Sequence, residues 1–126
     1  MKYSNTILAS VVVACLLSGC SSPTPIHNVR ETIVLQHTPE QVRKAILIAG
    51  AQRGWSMTAP QDGVIDAKLV KRDFSAHIQI NYSSNQYSIQ YIDSTNLNAK
   101  NGMIHNNYNR WIANLDKDIK IQLSVQ

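Results

Sequence analysis

Ser94, Asn96, His105, Asn109 and Arg110 fall within seventeen residues, with Lys100 between them. A serine hydroxyl beside an imidazole base and amide donors is the raw material of a hydrolytic or small-ligand site, the base raising the hydroxyl's nucleophilicity. No Gly-x-Ser-x-Gly elbow and no glycine-rich phosphate cradle accompanies them. Asn and Ser also hydrogen-bond their own backbone to fix long connections. That structural role is the preferred reading. A binding patch over Ser94, Asn96, His105, Asn109 and Arg110 is the functional alternative.

The rest of the chain offers less chemistry. His27, His37, His77 and His105 share no metal-ligand spacing, so no metal and no cofactor is expected. Of Asp62, Asp66, Asp73, Asp93, Asp116 and Asp118, most sit in turns or on an exposed helix face, where solvation is a simpler account than a catalytic pair. Basic residues do not interleave with exposed rings, which argues against nucleic acid. The expectation is a protein that is not an enzyme.

The elements that would position these residues follow from periodicity. "VRETIVLQ", Val29 to Gln36, alternates as a half-buried strand does. Thr38, Pro39 and Gln41 then form a capping box with proline at the first helical position. Val42, Ala45, Ile46 and Ala49 make one helical face, closed by Gly54. Strands are predicted at Trp55 to Ala59, Val64 to Arg72, Phe74 to Tyr82 and Tyr87 to Asp93. The last shows one apolar and one polar face, the mark of an antiparallel sheet wet on one side. Ser94 to Met103 reads as a loop. In "IHNNYNRWI", Tyr108, Trp111 and Ile112 continue to Leu115 and Ile119 as one helical face from Asn107 to about Gln122, with Asn106 or Asn107 as N-cap. The fold class is α+β in two layers: an antiparallel sheet of four to five strands with two helices on one face, in the order β-α-β-β-β-β-α.

The N-terminus is of another kind. After Lys2, Ile7 to Leu17 is an uncharged, mostly apolar run of eleven residues. As a helix it is roughly 16 Å long, too short to span a bilayer comfortably. It reads as a secretory signal over residues 1–19. Leu17-Ser18-Gly19-Cys20 resembles the bacterial lipobox, which implies cleavage after Gly19 and acylation of Cys20, an anchor of two or three chains. Cys15 leaves with the signal and Cys20 carries lipid, so the mature chain has no free thiol. With Lys2 gone, eleven basic residues stand against eight acidic ones, a net of +3, and "KLVKR" (Lys68, Lys71, Arg72) is the one cluster. Residues 20–28, polar with two prolines, read as a tether of about 15–20 Å. Residues 29–126 make the single domain.

"YSIQYIDSTNL" followed by "IHNNYNRWIANL", with "RGWSM" and "GVIDAKL" upstream, resembles a group of small, uncharacterised outer-membrane lipoproteins of Gram-negative bacteria. The resemblance implies lipid anchoring in the outer membrane and carries over no catalytic residue. Ser21, rather than Asp, after the lipidated cysteine resembles the outer-membrane sorting signal. The expected function is a non-enzymatic binding or structural module facing the periplasm, its partner an envelope protein or cell-wall component.

Overall fold

The computed structural model describes residues 22–126. The signal sequence and Cys20 lie outside them. Five strands form one antiparallel sheet: β2 (Val29–Thr32), β3 (Ser56–Gln61), β4 (Val64–Lys71), β5 (Phe74–Tyr82) and β6 (Gln86–Thr95), in the order β2-β6-β5-β4-β3. Two helices, α1 (Pro39–Gln52) and α2 (Asn106–Ser124), complete the α+β domain.

Alternation does the sorting. Ile65, Ala67 and Leu69 of β4, Ala76, Ile78 and Ile80 of β5, and Tyr87 and Ile89 of β6 all turn to one face. There they meet Val42, Ala45, Ile46 and Ala49 of α1 and Tyr108, Ile112, Leu115 and Ile119 of α2. Burying this apolar surface is the main favourable contribution to folding. Helix α1 begins as read: Thr38 accepts from the Gln41 N–H, the Gln41 side chain accepts from the Thr38 N–H, and Gly54 follows the C-cap at φ +87°.

Beyond shifts of one or two residues at element ends, four differences from the reading matter. The strand expected to reach Gln36 ends at Thr32, because the chain leaves β6 after Ile33 donates to the Asn85 carbonyl. The strand expected to end at Ala59 reaches Gln61, accommodating Pro60 on an edge strand where the register slips. Strand β6 runs on to Thr95 through a bulge: His77 pairs with Asp93 while Ile78 pairs with Tyr91, leaving Ile92 as the extra residue. The bulge reverses parity, so Ser94 sits opposite inward-facing Ala76.

The fourth difference concerns the tether. Pro23–Pro25 form a short strand, β1, antiparallel to Met103–His105, β7. Ile26 N–H also donates to the Gly102 carbonyl at 2.8 Å. From Pro23 onward the supposed tether is therefore docked on the domain, held by backbone pairing that composition does not reveal.

A polar network ties the edge strand to α2. The Tyr87 hydroxyl donates to Asp116 Oδ1 at 2.5 Å, and Lys120 Nζ lies 3.3 Å from Asp116 and 2.8 Å from Glu31. Burial, then the hydrogen bond to Asp116, push the Tyr87 pKa up. The hydrogen bond that Lys120 donates to Glu31 raises the Lys120 pKa.

Candidate functional site

Ser94, Asn96, His105, Asn109 and Arg110 lie near one end of the domain, and each has a hydrogen-bond partner there. Ser94 Oγ is 2.8 Å from the Tyr91 hydroxyl. Asn96 takes φ +63° and donates to the Asp73 carbonyl at 2.7 Å, pinning the β4–β5 turn. His105 is itself the N-cap of α2, its Nδ1 accepting from the Asn107 N–H at 3.0 Å, where asparagine was expected to cap. Its ring also lies 6.2 Å from that of Phe74. Asn109 holds the N-terminal segment through Thr24, Pro25 and His27. Arg110 donates to Asn107 Oδ1 at 3.2 Å.

The asparagines have a further reason to be here. Asn96, Asn98 and Asn101 stand at φ +63°, +55° and +53°. That left-handed region penalises most side chains and is tolerated by asparagine, whose carboxamide bonds locally. Below them an open depression of about 310 Å³ is lined by Pro23, Asn98, Lys100, Asn101, Met103 and His105. Ser94 and Asn96 do not line it, and among the described residues no hydrogen bond joins either to His105. The groups of a hydrolytic pair are thus committed separately.

The other histidines divide between surface and core. His77, on the wet face, lies 3.8 Å from Asp66 and 4.0 Å from Asp93. Among the described residues no three His, Cys, Asp or Glu side chains are arranged to hold a metal ion. His37 is buried, with Nδ1 at 2.8 Å from the Leu35 carbonyl and Nε2 at 2.8 Å from that of Leu123. It joins the segment before α1 to the end of α2.

Around His37 the surface changes character. Val34 is 92 % exposed and Leu35 64 %, with Ile121 at 50 % and Val125 at 70 % nearby on α2 and its C-cap. Val34, Leu35, Leu123 and Ser124 line a depression of about 270 Å³, and Ile121, Lys120 and Ser124 line the adjoining one. Scattered apolar residues are ordinary on a surface; here Val34 and Leu35 share one depression and Ile121 lines the next, with Lys120 and Ser124 common to both. Sequence reasoning missed this surface by extending a strand over Val34 and Leu35. The signal was there: Ile33-Val34-Leu35 breaks the alternation that begins at Val29.

No protein-family model matches this chain, and no curated protein matches it either.

Proposed function

We propose that this is a lipid-anchored, non-enzymatic binding module that captures a protein partner through the apolar patch of Val34, Leu35, Ile121 and Val125. The patch carries this reading. It flanks β2, which among the described residues pairs only with β6 and so presents an edge. Edge backbone donors and acceptors beside apolar pockets suit an extended segment of a partner. Acylation of Cys20 would hold the domain at a membrane, and the resemblance to outer-membrane lipoproteins supports that membrane and a periplasmic orientation. The separate commitments of Ser94, Asn96 and His105 weigh against a hydrolytic reading.

A photocrosslinking residue placed at Leu35, in cells, tests the patch against one placed at exposed Gln90 on the wet face. A discrete adduct from Leu35 alone, lost in a Val34→Glu background with the fold intact by circular dichroism, is the expected result. Equal adducts from both positions, or none from Leu35, would sink the proposal. Anchoring is tested separately: Cys20→Ala leaves an uncleaved precursor without lipid, and normal processing of that variant would refute it.

A further inference from the structure

We infer that the end of the domain carrying Lys71, Arg72 and Lys100 faces the membrane and docks on anionic phospholipid headgroups. The inference rests on acylation of Cys20 and adds an orientation to it.

Chain length comes first. Because Pro23 is already paired with His105, only three Cα-to-Cα steps separate it from Cys20, a reach of at most about 10 Å. A free nine-residue tether would let the domain tumble; three steps do not. Whichever surface surrounds Pro23 must therefore lie against the bilayer.

The structure identifies that surface. Pro23, Lys100, Met103 and His105 line one depression. Asn96 bridges to Asp73 in the β4–β5 turn, and the ring of Phe74, next in the chain, lies tilted at 6.2 Å from that of His105. This brings the turn holding Lys71 and Arg72 to the same end as Lys100. All three are exposed, and among the described residues none is in an ion pair. Arg110, in the first helical turns of α2, adds a fourth cation. The acids on this side are Asp73 in the same turn and Asp93 opposite His77, so the end keeps a positive excess. Sequence shows "KLVKR" as one cluster; folding adds Lys100 to it.

The apolar patch lies at the other end. Ile33 bonds to Asn85 in the β5–β6 turn, and β5 separates that turn from Phe74 by about 27 Å at strand rise. Docking by the cationic end would leave Val34, Leu35 and Val125 pointing away from the bilayer.

An anionic surface gains about fivefold in binding for each basic residue that reaches it, and the gain is screened within a Debye length. The test uses the lipidated mature chain in vesicles of phosphatidylcholine alone or with 30 mol % phosphatidylglycerol, each with a headgroup-nitroxide lipid. Fluorophores are placed at Ala99→Cys, beside Lys100, or at Gln36→Cys, beside Leu35. Intact mass first establishes lipid on Cys20. Quenching at position 99 should exceed that at 36. The ratio should rise at least about twofold with phosphatidylglycerol, a floor set under the gain from a single cation. Lys71→Glu, Arg72→Glu and Lys100→Glu together, or 0.5 M salt, should remove the rise.

A lipidated chain with equal quenching at both positions or stronger quenching at 36 overturns the orientation, and one with no dependence on phosphatidylglycerol overturns the headgroup docking; the anchoring stands in each case. Self-quenching between labels at 99 would put a second copy on this face and overturn the lipid assignment. An unacylated Cys20 overturns the anchoring, and the orientation with it.

Discussion

Asn109 grips Thr24. From the start of α2 its amide nitrogen donates to Thr24 Oγ1 at 2.9 Å and to the Pro25 carbonyl at 2.8 Å, while its oxygen accepts from the His27 N–H at 3.0 Å. One side chain thereby satisfies three groups of a segment that has little apolar surface of its own. The β1–β7 pairing supplies the rest, and together they turn a linker into part of the domain.

Asn109→Ala should therefore loosen residues 23–28 more than it unfolds the domain. Net hydrogen bonds contribute about 0.5–1.5 kcal/mol each, so losing all three costs at most about 1.5–4.5 kcal/mol, and less globally where the segment frays without the domain unfolding. Hydrogen exchange gives the sharper readout: the Ile26 and His27 amides should lose protection while those of β5 keep theirs. A uniform change across both would assign Asn109 to the core instead.

Tyr108 presents the opposite case. Its ring meets Tyr91 edge-on at 5.4 Å, but among the described residues its buried hydroxyl has no hydrogen-bond partner. Burial, with a smaller contribution from Tyr91, pushes its pKa up, so the group stays neutral. Removing an unpaired buried polar group is neutral or favourable. Tyr108→Phe should melt at or above the wild-type temperature, with a gain of up to about 1 kcal/mol. A loss larger than that would mean the hydroxyl has a partner in solution.

Much of this fold was legible in the sequence because its signals are local. The capping box at Thr38, the helical face of Val42, Ala45, Ile46 and Ala49, and the alternation from Phe74 to Tyr82 each sit in one continuous stretch. What stayed hidden depends on distant partners. Pro23–Pro25 is a strand only because Met103–His105 lies beside it, eighty residues on. Ser94 faces inward only because a bulge at Ile92 shifts the register. His105 read as an unassigned functional group, but a ring nitrogen capping a helix serves the role an asparagine side chain usually fills. The candidate site was legible as a cluster of polar residues; that their bonds go to separate structural partners rather than to one another was not.

Arg53 and Asp118 give the clearest acid response. Arg53 Nε lies 2.5 Å from Asp118 Oδ2, joining the end of α1 to α2. The bond from Arg53 holds the Asp118 pKa below its ordinary 3.8. A carboxyl depressed in the folded state adds stability above its unfolded pKa, and that stability is lost as pH falls through the folded value. The Arg53 side chain remains 41 % exposed, so solvent screens the pair. Wild type should melt above Arg53→Gln by a constant margin at neutral pH, and the gap should close below about pH 4. A gap that persists at low pH would trace the effect to packing of the arginine stem.

Trp111 tests how α2 divides its apolar face. Periodicity places it with Tyr108, Ile112 and Leu115, yet it is only partly buried, packed against a core whose Ile112 and Leu115 are fully enclosed. A fully buried tryptophan costs about 3–5 kcal/mol when cut to alanine, and a partly solvated ring forfeits less. Trp111→Ala should cost about 1–3 kcal/mol, and Ile112→Ala about 2–5 kcal/mol despite its smaller side chain. Side by side, the two melts rank burial above size. The reverse order would mean that the indole is buried more deeply in solution than Ile112, and the helix would have to be rotated about its axis to bring it there.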